Sequence, residues 1–346
     1  SGLVFLVNHH GELNGLFTDG DFRRWVIKQD RIDLNIKVCE IAQKDFVFAR
    51  EGESPNKIQK IFSEVIKFVP ILDKNDHLVA IAQNSPTGIQ IGSHVISKIM
   101  PAFIIAEIGI NHNGSVQLAK RMVDKAVWAG ANCVKFQMRH LEELYQNQGN
   151  PNDLSQDLGS QYILDILSRS QLTTGEMFEI FDYCREKKIQ PLCTPWDIAS
   201  VATLEEYGME AYKVASADLT NHQLIEVIAK TGKPMIISTG MSFEQEIIET
   251  IDFVKNLGAP YILLHCNSTY PAPFKDLNIK YLERLKEIGS CMVGYSGHER
   301  GFNIVLAAVA CGSKVVEKHF TLDKNMEGND HKISLLPEEF KAMVEG

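Results

Sequence analysis

Three charged residues stand at the ends of short apolar runs in the last two thirds of the chain, at Glu107, Lys135 and Lys213. A charge that is drawn into a buried strand is costly unless it is paired or used in chemistry. We therefore regard these residues as candidates for catalysis or for binding an anion. Each also has a structural explanation, because Glu107 could be a solvated loop acid and the lysines could extend their ammonium groups to solvent.

Hydroxyl groups follow other apolar runs and complete a pattern suited to a small, highly charged ligand. Two ammonium groups would neutralise a phosphorylated carboxylic acid, and hydroxyls would supply short, directional hydrogen bonds. Helix N-capping could explain any one of these hydroxyls, since Ser and Thr are favoured there. The hydroxyl residues are Thr194, Ser216, Ser238, Ser268 and Ser296.

Two histidines, His298 and His319, follow two further apolar runs, and Glu317 stands two residues before His319. Imidazole and carboxylate groups could hold a divalent metal and leave positions open for substrate and water. A hydrogen-bonded core histidine is the structural alternative for His298. Because two protein ligands make a weak site, we expect an exchangeable metal that is held partly by substrate.

The elements that must position these side chains alternate between strand-like and helix-like patterns from residue 101 onward. Helices are predicted over 116–129, 174–187, 222–230, 243–257 and 301–311, and the longest insertion spans 138–170. This succession indicates an α/β fold, a (β/α)8 TIM barrel, in which catalytic groups emerge at the carboxyl ends of the strands. The predicted strands cover 102–107, 132–136, 190–194, 211–215, 234–238, 261–266, 291–294 and 314–318.

A small α+β domain is predicted over residues 1–92, followed by a linker over 93–100 and the barrel over 101–346. The first domain carries a weak repeat of strand, polar turn and strand. This repeat resembles a pair of cystathionine-β-synthase-type (CBS) modules, of which the first begins partway through its motif. The resemblance implies a regulatory or dimerising region with an adenine nucleotide at Thr18 and Asp21, for which a helix N-cap is the alternative.

Composition restricts the classes of partner. The formal net charge of -9 argues against a general nucleic-acid binder, which needs a basic face. No apolar run reaches the roughly 18 residues needed to span a bilayer, and no signal-peptide pattern opens the chain, so no membrane association is expected. The seven cysteines include no CxxC pair and fit a cytoplasmic protein.

The motifs at the predicted strand ends, taken in order, resemble the sialic acid synthase family over about residues 101–346. The resemblance implies condensation of phosphoenolpyruvate with an N-acetylated mannosamine-type sugar, giving phosphate and a nine-carbon 2-keto acid of the sialic, legionaminic or pseudaminic type. Its motifs are Ala106–Gly114, Val134–Gln137, Lys213–Ser216, Ser238–Met241, His265–Cys266 with Tyr270–Pro271, Ser296–His298 and Glu317–Phe320.

The same resemblance implies roles for individual residues. Glu107 would lie beside the reacting carbons, and His298 and His319 would bind manganese or magnesium. The sugar would face Gln137, Asp218, Tyr270 and Asp330. Phosphoenolpyruvate would be bound by Lys135, Thr194, Lys213, Ser216, Ser238, Ser268 and Ser296.

Two departures from the family pattern concern the substrate. Ser268 stands where some members carry Asn, and Asp218 where some carry Glu, which could reflect a bacterial diamino-sugar substrate. The family usually appends an antifreeze-like domain that completes the active site of a partner subunit. The chain ends at Gly346, and we therefore do not expect this domain in it. We also expect a homodimer.

Other functions fit parts of the pattern. A related phosphoenolpyruvate-condensing enzyme would make a shorter sugar acid from a phosphorylated aldose and would need a further cationic cluster. A Schiff-base aldolase would use Lys213 without a metal. A nucleotide-sensing module on an inactive barrel is the non-enzymatic alternative.

Overall fold

A computed structural model describes residues 3–29, 32–33, 35–54, 57–58, 60–63, 66–83, 88–141 and 167–346. The chain divides into two compact units, Ser1–Thr87 and Gly88–Gly346. Most of the insertion predicted over 138–170 lies outside the described residues. In the part of the chain that is described, no helix has the length and apolar character needed to cross a membrane.

The first unit combines antiparallel strand pairs with short helices. Both strand–turn–strand patterns of the sequence form antiparallel pairs, β1 with β2 and β4 with β5, and β3 runs parallel to β4. A CBS-type fold for this unit remains a prediction. Its elements are β1 (Leu3–Val7), β2 (Leu13–Thr18), α1 (Asp19–Ile27), α2 (Val38–Ile41), β3 (Ala49–Arg50), β4 (Phe68–Leu72) and β5 (Leu78–Gln83).

The second unit is built on a closed barrel of eight parallel strands, as the sequence predicts. The strands follow one another around the barrel in chain order, and the last pairs with the first. They are β8 (Phe103–Gly109), β9 (Cys133–Met138), β10 (Gln190–Pro195), β11 (Tyr212–Val214), β12 (Met235–Ser238), β13 (Tyr261–Cys266), β14 (Met292–Gly297) and β15 (Val315–His319).

Helices between and after the strands pack on the outside of the barrel. Several begin at a side chain that accepts a hydrogen bond from the first turn, as at Ser115, Thr173, Asp197 and Asn221. The helices are α3 (Val116–Trp128), α4 (Thr174–Glu186), α5 (Ile198–Tyr207), α6 (His222–Lys230), α7 (Glu244–Leu257), α8 (Tyr281–Gly289), α9 (Asn303–Ala310) and α10 (Pro337–Glu345).

Strand alternation separates two apolar cores and leaves one polar layer. Outward side chains meet the helices, whereas inward side chains near the strand starts form a second apolar cluster. Successive side chains of a strand point to opposite faces, so the inward positions nearest the carboxyl ends are free to carry polar groups. On β15, for example, Val315 belongs to the inner apolar cluster and Glu317 and His319 lie further along the same face.

A hairpin of β6 (Ile89–Ile91) and β7 (His94–Ile96) packs against the start of the barrel. Ile91 and Ile96 are buried and cluster with Phe103 and Val315, the first residues of β8 and β15. The hairpin therefore closes the amino-terminal end of the barrel. Residues 93–100, predicted as a linker, contain β7.

We expect Ile91→Ala to lower the free energy of unfolding by about 2–5 kcal/mol, because it leaves a cavity in the inner core. Val95 lies on the same hairpin but is 45% exposed, so Val95→Ala should change that energy by less than about 0.5 kcal/mol. Urea unfolding followed by circular dichroism measures both. Equal effects would contradict the placement of the hairpin in the core.

Candidate active site

A cavity of about 490 Å³ opens at the carboxyl ends of the barrel strands. It brings together nearly all the residues that the sequence singles out, although they are distant along the chain. Catalytic groups of TIM barrels are found at this end. The predicted residues that line the cavity are Glu107, Lys135, Gln137, Thr194, Lys213, Ser216, Ser238, Ser268, Tyr270, Ser296, His298, His319 and Asp330.

A buried charge cluster lies between strands β15, β8 and β9. The Lys135 ammonium is 2.7 Å from Glu107 Oε2 and 3.9 Å from Glu317 Oε1, and it donates to Thr194 Oγ1 at 3.0 Å. Burial works to lower the pKa of Lys135, but the two carboxylates outweigh it and the net shift is upward. Lys135 is therefore a permanent cation at the centre of the cavity.

The two carboxylates of this cluster differ in proton affinity. Burial raises the pKa of Glu107 to about 7, against the opposing charge of Lys135. Burial also works to raise the pKa of Glu317, but the charges of Lys135 and Lys213 hold it below its ordinary value. Glu317 is thus the permanent anion, while Glu107 can hold or release a proton near neutral pH.

An amide fixes the second oxygen of Glu107. Gln137 donates from Nε2 to Glu107 Oε1 at 3.0 Å, and Arg139 donates to the other end of the same amide. Gly109 has a φ of 55°, and a side chain there would stand 2.9 Å from Gln137 Nε2. Glycine at this position lets the loop after β8 turn closely over the Glu107–Gln137 contact.

Lys213 provides a second ammonium group deeper along the cavity wall. It donates to Ser238 Oγ at 2.6 Å and to the Val214 carbonyl at 2.9 Å. Among the described residues it forms no ion pair, and burial lowers its pKa. An incoming anion would supply the charge partner that this ammonium lacks.

The remaining hydroxyls line the wall beside Lys213. Ser216 Oγ accepts from the Gly240 backbone N–H at 3.1 Å and lies 3.1 Å from Cys266 Sγ. Ser268 Oγ lies 3.9 Å from the same sulfur, and Ser296 donates to Glu317 Oε1 at 3.2 Å. Ser216 and Ser296 thus have protein partners of their own. These contacts do not prevent either hydroxyl from also binding a ligand.

Two imidazoles face each other across the end of the cavity, with ring centroids 5.5 Å apart. His298 Nδ1 donates to the Asn267 carbonyl at 2.6 Å, and Tyr270 OH lies 3.0 Å from Nε2. His319 Nδ1 is 3.8 Å from Asp330 Oδ2. The Asn267 carbonyl thus fixes the proton of His298 on Nδ1 and leaves its Nε2 with the lone pair, whereas His319 Nδ1 is buried without a hydrogen-bond partner among the described residues.

The donor set fits a divalent metal. Burial lowers the pKa of His298 to about 4 and that of His319 to about 3, so both rings stay neutral and able to coordinate. An acceptor behind one ring nitrogen, such as the Asn267 carbonyl behind His298 Nδ1, is usual for a metal-binding histidine. No group of three His, Cys, Asp or Glu side chains arranged for an ion occurs within the described ranges, so substrate and water would have to complete the coordination.

Asp218 is the barrel residue of the predicted set that does not line this cavity. It lies in a short 3₁₀ turn after β11 and accepts from Asn221 at 3.1 Å. Burial raises its pKa. Its predicted role toward the sugar therefore has less geometric support than the roles of Gln137 and Tyr270.

Thr18 and Asp21 lie in the first unit and form a capping box at the start of α1. Asp21 accepts from the Thr18 backbone N–H and hydroxyl, and also from Arg24 and Gln43. This is the N-cap that the sequence allows as an alternative. Nucleotide binding at these residues remains a prediction.

Sequence reasoning underestimated two residues of the cavity. It considered Glu317 only together with His298 and His319 as a group that could hold a metal, yet Glu317 contacts Lys135 and Ser296. It did not consider Arg139, which lines the cavity and stacks 4.8 Å from the centroid of the Trp196 ring. Alternation along β9 could have identified Arg139, because Lys135, Gln137 and Arg139 are spaced by two residues.

Comparison with known proteins finds relatives of the second unit. Residues 122–346 match the model of the NeuB family. An uncharacterized protein of Methanocaldococcus jannaschii is 42% identical over 257 residues, which cover 74% of this chain and 73% of that protein. The N,N'-diacetyllegionaminic acid synthase of Campylobacter jejuni is 40% identical over 245 residues, which cover 69% of this chain and 73% of that enzyme.

A solved structure extends the likeness to three dimensions. The N-acetylneuraminic acid (sialic acid) synthetase of Leptospira borgpetersenii aligns with a TM-score of 0.68 at 34% identity. The alignment covers 75% of this chain and 87% of that one. The aligned length is therefore about that of the second unit, which contains the barrel.

We expect Lys135→Met to lower the free energy of unfolding by about 3–5 kcal/mol, because it leaves two buried carboxylates without their cation. The matched control is Lys120→Met, which removes a pair with Glu179 on the surface and should cost at most about 1 kcal/mol. Urea unfolding at pH 8 measures both. A loss for Lys135→Met no larger than the control would show that water already solvates the cluster.

Proposed function

The chain belongs to the NeuB family of sialic acid synthase-like enzymes, which are phosphoenolpyruvate-dependent sugar acid synthases, and we propose that it condenses phosphoenolpyruvate with an N-acetylated mannosamine-type sugar. The products would be phosphate and a nine-carbon 2-keto sugar acid. The observation that carries this proposal is the single cavity that combines Lys135, Lys213, the hydroxyls and a facing pair of imidazoles.

Phosphoenolpyruvate suits the wall formed by β9 to β14. Its phosphate and carboxylate would meet the Lys213 ammonium, whose hydrogen-bond partners among the described residues are Ser238 and a carbonyl. Lys135 would share its charge between the ligand and the carboxylates it already contacts. Hydroxyls at Thr194, Ser216 and Ser268 would add hydrogen bonds without adding charge.

The imidazoles of His298 and His319 would hold the metal, and a bound divalent ion would polarise the aldehyde oxygen of the open-chain sugar. Tyr270 contacts His298 at Nε2 and lines the same cavity, so its hydroxyl would also face the sugar. Asp330, behind His319, would orient that ring or accept from a sugar hydroxyl.

Glu107 would act on the carbon that becomes cationic. Attack by the methylene carbon of phosphoenolpyruvate on the aldehyde leaves positive charge at C2, which water must capture before phosphate departs with C–O cleavage. An ionised Glu107 would stabilise that charge and orient the water. Because burial brings its pKa to about 7, the same group can also accept the proton that the water loses.

The identity of the sugar is the finer part of the proposal. Among the relatives, the Campylobacter jejuni enzyme named for N,N'-diacetyllegionaminic acid is 40% identical to this chain. Ser268, which lines the cavity, stands where some family members carry Asn, a difference that a diamino-sugar substrate would explain. We therefore propose a diacetamido sugar ahead of N-acetylmannosamine.

The test is incubation of the full chain with phosphoenolpyruvate, Mn²⁺ and a panel of sugars, followed by phosphate release and product mass. The panel contains diacetamido hexoses, N-acetylmannosamine and a phosphorylated aldose. We expect phosphate in step with a product whose mass equals phosphoenolpyruvate plus sugar plus water, minus phosphoric acid. Turnover of the phosphorylated aldose alone would instead favour the shorter sugar-acid synthase.

A chelator separates this proposal from a Schiff-base aldolase. EDTA should reduce phosphate release to background, and added Mn²⁺ or Mg²⁺ should restore it, because two protein ligands, His298 and His319, would hold the ion weakly. An aldolase that uses Lys213 would keep its activity in EDTA and would be trapped by borohydride. Silence with every sugar would contradict the proposed function.

Glu107→Gln should lower kcat by about 10²–10⁴-fold, because the amide cannot accept the proton or balance the charge at C2. Phosphoenolpyruvate affinity, measured by calorimetry, should stay the same or tighten, because a negative charge is removed from the cavity. Glu179→Gln, an acid on the outer face of α4, serves as the control. A rate within a few-fold of wild type would rule out Glu107 as the catalytic carboxylate.

A further inference from the structure

Lys318 is a fully buried cation on the outward face of the barrel wall, opposite the face that lines the cavity. It lies on β15 between Glu317 and His319, but strand alternation turns it outward with Val316 and Phe320. Both of those neighbours belong to the apolar layer beneath the helices. A lysine is costly in that layer, and the proposed chemistry makes no direct use of it.

Its partner is Glu299, which is also fully buried. The Lys318 ammonium is 2.9 Å from Glu299 Oε1 and donates to the Glu299 backbone carbonyl at 2.5 Å. Tyr295 OH donates to Glu299 Oε2 at 2.8 Å. The lysine thus holds both the side chain and the main chain of Glu299 against the sheet.

Gly297 is the residue over which Glu299 folds back. A side chain at Gly297 would stand 2.7 Å from Glu299 Oε2 and 2.8 Å from a ring carbon of Tyr295. Gly297 also pairs with Lys318 in the β14–β15 register. The turn that leaves β14 is therefore packed closely around the ion pair.

This turn carries one of the two facing imidazoles. His298 lies between Gly297 and Glu299, its carbonyl accepts from Ala272 N–H at 3.1 Å, and its Nδ1 contacts the Asn267 carbonyl at 2.6 Å. Lys318 directly precedes His319. The ion pair therefore ties together the two chain segments that present His298 and His319.

We propose that Lys318 and Glu299 are positioning residues, whose ion pair sets His298 against His319 and so preorganises the two imidazoles as metal ligands. This inference rests on the proposed function for its purpose but concerns residues outside the cavity. Buried ion pairs can often be replaced by apolar side chains without loss of stability. If stability alone were the role of this pair, an apolar replacement would therefore serve as well.

The test compares Lys318→Met, the double variant Lys318→Met/Glu299→Leu and wild type. The single variant leaves Glu299 buried without its cation and should have a lower Tm, whereas the double variant should recover most of it. Mn²⁺ affinity, followed by electron paramagnetic resonance with saturating phosphoenolpyruvate, should fall about 10–100-fold in both variants. Phosphoenolpyruvate affinity without metal should change less than threefold.

The control is Lys324→Met, which removes a partly exposed ion pair with Glu339. Neither residue of this pair is next to His298 or His319 in the chain. Its Mn²⁺ affinity should equal that of wild type. Metal affinity that follows Tm, low in the single variant and restored in the double, would assign the pair a purely structural role and overturn the proposal.

A crystal structure of the metal-free double variant gives a readout that needs no turnover. We expect the His298 ring to lose its contact with the Asn267 carbonyl and its centroid to leave the 5.5 Å separation from His319. Unchanged rings would overturn the proposal. Absence of phosphate release by the wild type would count against the proposed function alone, because the ring positions decide the inference independently.

Discussion

One ammonium group, that of Lys135, holds together the polar end of the barrel. Glu107 and Glu317 would repel each other in a buried site of low dielectric, and the cation between them offsets that repulsion. The three strands concerned are neighbours only because the barrel closes: β8 lies between β15 and β9. Closure of the sheet is therefore what brings Glu317 on β15 within reach of Lys135 on β9.

This cluster also explains how two acids of the same type acquire different properties. Glu317 is influenced by both lysines and stays ionised, whereas burial dominates at Glu107 and brings its pKa to about 7. Because Glu317 and Lys135 keep opposite charges, a proton gained or lost at Glu107 changes the net charge of this cluster by one. The proposed capture of water at C2 would use this change, since an ionised Glu107 can take the proton of the water.

The two ends and the two faces of the barrel strands have different roles. At the amino-terminal end, the hairpin residues Ile91 and Ile96 seal an apolar core, so the cavity at the other end can be polar without exposing that core. The outward face is apolar apart from groups such as Lys318, whose ion pair with Glu299 sits directly behind the imidazoles. Stability and reactivity thus come from different layers of the same strands.

Much of this organisation follows from local pattern. The eight strands appear within a few residues of their predicted bounds, because short apolar runs that are buried on both faces are specified by composition alone. The site residues at strand ends were equally accessible, since each Lys, His or Glu has a structural explanation when taken alone but their joint occurrence after such runs does not. Alternation then predicts that Glu107, Lys135 and Glu317 point inward.

Contacts that depend on the packing of distant segments were not accessible in this way. Sequence placed Asp218 with the sugar-facing residues, but it does not line the cavity, although Ser216 in the same 3₁₀ turn does. It also placed residues 93–100 in a linker, whereas the structure has β7 there. A strand of three residues is too short to give a periodic signal in the sequence. Neither the Glu107–Lys135–Glu317 arrangement nor the Lys318–Glu299 pair has any local signature.

The sequence by itself determined which side chains reach the carboxyl end of the barrel, because strand period and apolar runs are local properties. Only the tertiary structure decided which of those side chains touch, which proton affinities result, and what supports the imidazoles from behind. The physical reason is that ion pairing and burial depend on distances across the closed barrel, between strands up to 212 residues apart, such as those of Glu107 and His319.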